Sequence, residues 1–103
     1  MKNNHAPLLN MMVIAEDVGQ TLKTIAHPHR LMILCLLKEG KKNVTEMTEV
    51  LGISQTAMSN HLARLRKENI VDFTRYHRSL VYELTSDDVK RVINTLYEVY
   101  CTR

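Results

Sequence analysis

Between Ser54 and Lys67 the chain sets out short, uncharged hydrogen-bonding side chains at helical spacing: Gln55, Thr56, Ser59 and Asn60, with Ala63 and Lys67 on the same side. The opposite side holds Met58, Leu62 and Leu65, an apolar stripe suited to a core. An amide side chain such as that of Gln55 or Asn60 can pair with an adenine edge through two hydrogen bonds, while Ser54, Thr56 and Ser59 can bond base edges or phosphate. An ordinary solvated helix carries more charge on its outer face. The chemistry this row offers is hydrogen bonding to nucleobases.

Arg64 lies at the rim of the polar face and suits a phosphate contact. Arg75, His77 and Arg78 follow near the tip formed where two β-prone runs meet, placed to touch phosphates or enter a minor groove. His61 shares its helical phase with Met58 and Leu65 rather than with Thr56 and Ser59, so it reads as a hydrogen-bonded packing residue. His27 and His29 flank Pro28 at a helix start and read as structural. Two thiols remain, Cys35 and Cys101. Cys35 sits in an apolar run, which raises a thiol pKa, and Cys101 lies at a helix C-terminus, whose dipole disfavours a thiolate; Arg103 offsets part of this. By residue physics alone they are packing cysteines.

Positioning these residues requires a particular set of elements. Apolar residues from Leu8 to Ala26 keep a helical period that Gly19 interrupts. His27 and Pro28 break the chain, and Leu31 to Leu37 then form a nearly continuous apolar run, the mark of a central helix. A polar loop from Glu39 to Asn43 leads to a short helix carrying Val44, Met47, Val50 and Leu51, which stops at Gly52. Ser54 caps the next helix. Ile70, Val71, Phe73 and Tyr76, then Leu80, Val81, Tyr82 and Leu84, predict a hairpin across His77, Arg78 and Ser79. Thr85 or Ser86 caps a last helix, with Asp87 and Asp88 at its positive end and Val89, Val92, Ile93, Leu96 and Tyr100 recurring along it. The expected fold is mainly α with a small β-hairpin, in the order α-α-α-α-β-β-α. It forms one domain over residues 1–103, without repeats or linkers.

The formal charge of +3 is too mild to identify a partner, so local placement decides. Arg64, Arg66, Lys67, Arg75 and Arg78 form a basic edge, whereas Glu46, Glu49, Glu83, Asp87 and Asp88 lie elsewhere. The two cysteines have no C-x-x-C spacing and are too few for a secreted disulfide scaffold. No run reaches the roughly 18 apolar residues of a membrane span, and the start lacks a leader pattern, so the expected location is the cytoplasm. No phosphate-binding glycine loop, carboxylate cluster or nearby Cys-His pair suggests an enzyme.

The segments LKTIAHPHRLMILCLL, LGISQTAMSNHLARLRKENIV and RYHRSLVYELT resemble the ArsR-type winged-helix repressors of bacteria, from Leu22 to Leu84. The resemblance implies a winged helix-turn-helix homodimer joined through its first and last helices, bound to an inverted-repeat DNA operator and released by an inducer. Broad apolar faces at both ends are compatible with this: Leu8, Met11, Met12, Ile14 and Val18, and Val92, Ile93, Leu96, Tyr97, Val99 and Tyr100. Metal-sensing relatives carry Cys-Val-Cys and an acid at the third helix, where this chain has Asn43, Val44, Thr45 and Glu46, and no histidine follows His77 to supply the last-helix site. Neither metal site nor any cofactor is expected. The pair Cys35 and Cys101 instead resembles that of the persulfide-responsive BigR and SqrR branch, with HlyU-like regulators similar. There, reactive sulfur species join the two thiols by a disulfide or polysulfide bridge and lower DNA affinity. This predicts a repressor that senses reactive sulfur through Cys35 and Cys101. Its alternatives are a regulator that senses peroxide or lacks a thiol switch, and a winged-helix protein-interaction module.

Overall fold

Four polar side chains, His27, Asn43, Ser54 and Ser86, start helices by accepting hydrogen bonds from otherwise unpaired backbone N–H groups, and they set the frame of the molecule. A computed structural model describes the backbone of residues 8–102 and the side chains of residues 10–102. The charge expected of Arg103 and the apolar side chain of Leu8 lie outside the described residues. The elements are α1 (Leu8–Ile25), α2 (Pro28–Lys38), β1 (Lys42–Asn43), α3 (Val44–Leu51), α4 (Gln55–Lys67), β2 (Val71–Tyr76), β3 (Ser79–Leu84) and α5 (Asp87–Cys101).

Asn43 and Glu46 form a reciprocal capping box at α3, each accepting the other's backbone N–H at 2.8 Å. Gly52 ends α3 with φ of 67°, a left-handed conformation costly for other residues. Ser54 caps α4 through Ala57 N–H, and Ser86, rather than Thr85, caps α5 through Val89 N–H, both at 3.1 Å. Past α4, Asn69 turns at φ of 60°, and the Ile70 carbonyl accepts Thr85 N–H at 3.0 Å and Ser86 N–H at 3.3 Å. That carbonyl joins the exit of α4 to the entrance of α5.

The hairpin pairs Val71 with Leu84 through Tyr76 with Ser79, leaving His77 and Arg78 as a two-residue turn. The expected polar loop at Glu39–Asn43 is only partly a loop. Lys42 and Asn43 pair with Tyr82 and Val81, giving a three-stranded antiparallel sheet in the order β1-β3-β2. Side-chain periodicity does not report this strand, because the pairing uses only backbone donors and acceptors.

Ile33, Leu34 and Leu37 of α2 meet Met47 of α3, Met58, Leu62 and Leu65 of α4, Ile70 and Val71, Tyr82 and Leu84 of β3, and Val89 and Ile93 of α5 in one buried cluster. α2 is central as expected, although Met32 is exposed. Val50, read as part of the α3 stripe, is also exposed. Ile93 is buried in this core and Leu96 packs against it, so neither belongs to a free outer face of α5. Gly19 does not interrupt α1. Only the last turn of that helix enters the core, through Thr24 and Ile25, while residues 10–20 are all exposed. No described helix is long and apolar enough to cross a membrane.

Candidate nucleic-acid interface and thiol pair

The apolar stripe of α4 anchors the helix and thereby turns its other side outward. Met58, Leu62 and Leu65 are buried, whereas Ser54, Gln55, Thr56, Ser59, Asn60 and Arg64 are exposed. Among the described residues, no intramolecular hydrogen bond occupies the side chains of Gln55, Thr56, Ser59 or Asn60. Ser54 differs, because its oxygen accepts the capping N–H, which leaves its O–H and one lone pair for an outside partner. The first turn of α4 therefore presents the donors and acceptors that base-edge readout needs, and no side chain among the described residues hydrogen-bonds to those of Gln55, Thr56, Ser59 or Asn60.

Gln55 does not stand alone. It lines one groove with Asn43, Val44 and Thr45 at the start of α3 and with Arg78, Ser79 and Leu80 of the wing. Thr45, exposed in the first turn of α3, lines this groove without any sign in the sequence; a single threonine has no signature along the chain, and only the approach of three elements reveals it. Arg75, His77 and Arg78 are exposed near the hairpin tip, where His77 adopts φ of 56° to complete the turn.

Arg66 leaves the expected basic edge. Its Nε donates to Asp72 Oδ1 at 2.8 Å, and its guanidinium lies 4.5 Å from the Phe73 ring centre, fastening α4 to β2. The bond from Arg66, together with one from Phe73 N–H, holds the Asp72 carboxyl below the usual carboxylate range. A depressed folded-state pKa contributes stability above the unfolded pKa and loses it as pH falls through the folded one. Asp72→Asn should therefore lower the melting temperature slightly at neutral pH, with the two proteins converging as the pH falls through the depressed folded-state value, below the usual carboxylate range. Thermal unfolding followed by circular dichroism across that range checks this, and a difference unaltered by acid would contradict it.

His61 packs as its helical phase predicts, though with unexpected company. Its ring centre is 4.7 Å from that of His27 and 5.6 Å from that of His29, and Arg30 Nη1 lies 3.3 Å from its Nδ1. Burial first, then the charges of His27, Arg30 and His29, lowers its pKa below the ordinary histidine value. Arg30 is held in place by donating from Nε to the Thr24 carbonyl.

The thiols lie on two elements packed against each other, Cys35 on α2 and Cys101 at the end of α5. Cys101 is exposed and Cys35 half-buried, the order of accessibility that their sequence positions suggest. Burial pushes the Cys35 thiol up, the charge of Cys101 pushes it further, and Lys38 opposes both. The two sulfurs are thus near enough for their charges to interact. Lys38 is itself placed over the Tyr97 ring of α5, 4.3 Å from its centre.

Residues 27–72 match the family described as "Bacterial regulatory protein, arsR family". The "Biofilm growth-associated repressor" of Xylella fastidiosa strain Temecula1 is 36% identical over an alignment covering 100% of this chain and 93% of that protein. Among solved structures, reduced HlyU from Vibrio cholerae N16961 has a TM-score of 0.88 at 34% identity, covering 90% of this chain and 98% of that one. The transcriptional repressor BigR from Xylella fastidiosa has a TM-score of 0.83 at 35% identity, covering 94% and 99% respectively.

Proposed function

This chain belongs to the ArsR family of bacterial regulatory proteins, and on that premise we propose that it is a homodimeric transcriptional repressor whose grip on DNA is weakened when reactive sulfur links Cys35 to Cys101. The observation that carries the DNA-binding part is the unoccupied polar face of α4, continuous through Gln55 with Thr45 and the wing residue Arg78. Gln55, Thr56, Ser59 and Asn60 read base edges in a major groove, and Arg64, Arg75, His77 and Arg78, with the Ser54 hydroxyl, bind phosphate or the adjoining minor groove. A two-fold dimer presents two such faces to an inverted repeat, with centres one or two helical turns apart. The two Xylella fastidiosa relatives are named as repressors, in keeping with a non-enzymatic role.

The sensing part rests on the placement of the thiols. The exposed Cys101 thiolate attacks a polysulfide, a sulfur–sulfur bond breaks, and a shortened sulfide leaves, so that Cys101 becomes a persulfide. Cys35, deprotonated in turn, attacks the inner sulfur and expels hydrosulfide; the protein loses two protons and two electrons, and the polysulfide is reduced. Where Cys101 carries a longer sulfur chain, attack by Cys35 on the sulfur next to the terminal one expels that terminal sulfur as hydrosulfide and leaves a polysulfide bridge instead. The raised pKa of Cys35 makes it the slower, resolving partner, since less of it is thiolate at neutral pH.

The test is a gel shift on DNA from upstream of its own operon, with protein reduced and then treated with polysulfide or with peroxide. Polysulfide should lower wild-type affinity by about tenfold or more, within the usual range of coupling between sites. The intact subunit mass should fall by two hydrogens or rise by added sulfur. Cys35→Ser and Cys101→Ser should bind DNA and lose the response. Unchanged mass and affinity after polysulfide, or a response surviving in both variants, would end the sensing proposal without touching DNA binding.

A further inference from the structure

Two elements far apart in sequence bring three imidazoles together: His27 caps α2, His29 lies in the first turn of α2, and His61 projects from the middle of α4. One ring nitrogen of each lies within 4.8 Å of the others, and all three side chains are half-buried. We propose that His27, His29 and His61 form a binding site for a divalent transition metal of the zinc, cobalt or nickel class, which fastens α4 to the start of α2.

Imidazole nitrogen is a common ligand for these ions, and three such ligands with water in a fourth position make a familiar tetrahedral set. Metal–nitrogen bonds of about 2.0–2.1 Å place the ligand atoms roughly 3.3 Å apart in that geometry, so the three rings must close in slightly by rotation. Packing alone would explain tilted and edge-on ring contacts. It does not require a nitrogen of each ring to lie within 4.8 Å of the other two, and His29 has no hydrogen bond to its ring among the described residues.

Two features oppose the metal and limit its affinity. Arg30 Nη1 lies 3.3 Å from His61 Nδ1, and Arg64 is close enough to repel Arg30. His27 Nδ1 accepts the His29 N–H at 3.1 Å, so in the neutral ring the proton resides on Nε2. Coordination through either nitrogen of a neutral His27 gives up that cap: at Nδ1 it takes the same lone pair, and at Nε2 it requires the proton to move to Nδ1, which can then no longer accept. Metal binding is thereby linked to the first turn of α2, and through His61 to the helix that carries Gln55, Thr56, Ser59 and Asn60.

Metal-free full-length protein titrated with cobalt(II) should show the visible d–d absorption of a four-coordinate ion, saturating at one ion per subunit and abolished by zinc. His27→Asn retains a good capping side chain while removing the imidazole, and His29→Gln leaves the cap untouched. Each should weaken cobalt binding by about tenfold or more, the loss that even supporting residues of a metal site produce. Far-ultraviolet circular dichroism should be unchanged. Cys35→Ser/Cys101→Ser should bind cobalt like the wild type. Absence of saturable binding to the wild type, binding unaltered in both histidine variants, or binding that disappears with the thiols would each overturn the site.

Discussion

Ile14→Asp or Val18→Asp in α1 should convert the protein to a monomer and lower its DNA affinity by about a hundredfold or more. Ile14 and Val18 are 56% and 50% exposed in the isolated subunit, and Met11 and Leu22 extend the same stripe. This length of apolar helix has no counterpart inside the subunit, since α1 touches the core only at its last turn. Val92 and Val99 of α5 are exposed too, so the two terminal helices supply material for an interface of the roughly 1,200–2,000 Å² that stable association requires. An aspartate buried there without a partner costs several kcal/mol, enough to dissociate a standard dimer at working concentrations. The DNA effect follows from geometry: a monomer has one reading helix and loses the effective concentration that makes engagement of the second half-site nearly unimolecular, a gain of about 10²–10⁴. Sedimentation equilibrium and a gel shift measure the two consequences. A Val18→Asp protein that remained dimeric would show that the subunits associate through another face.

Gln55→Ala and Asn60→Ala should each reduce affinity for the specific operator by about 5- to 150-fold per half-site, corresponding to about 1–3 kcal/mol for removal of a bidentate pairing with a base. Because a symmetric dimer carries each substitution twice, the measured loss for the full operator approaches the square of the half-site value. Both side chains are exposed and hydrogen-bond nothing in the described protein, so folding stability should change by no more than about 0.5 kcal/mol. Arg64→Ala is the informative contrast. It should weaken binding to all sequences alike and reduce the salt dependence by about one unit of slope for each phosphate that Arg64 neutralises. Fluorescence anisotropy on operator and scrambled duplexes over a range of salt separates the two patterns. If Asn60→Ala weakened both duplexes equally, α4 would be positioning the protein rather than reading bases.

The helix that carries this readout is legible in the sequence. Ser54, the Met58–Leu62–Leu65 stripe and Gly52 define its start, inner face and preceding turn through interactions within about one helical turn, the range over which periodicity and capping are informative. The hairpin is legible for the same reason, its alternating β-prone runs flanking a short polar link. Arg66 is not, because along the chain its charge resembles that of Arg64, and only the path of β2 brings Asp72 and Phe73 beside one and not the other. Ile93 and Leu96 escape for a related reason. Helical phase orders the residues of α5 around its axis but does not tell which arc faces α2 and which faces a second subunit.

Local order in the chain therefore determined the element types, their caps, the polar outer face of α4 and the presence of two thiols, since each depends on neighbours a few residues away. Tertiary packing alone decided the rest: that Lys42 and Asn43 complete a sheet, that Thr45 and Arg78 flank Gln55, that Cys35 feels the charge of Cys101, and that three histidines separated along the chain share one pocket of space. The physical reason is the same in each case. These juxtapositions are made by burying the α2–α4–α5 core, a non-directional force that positions polar side chains only as a consequence of where their apolar neighbours go.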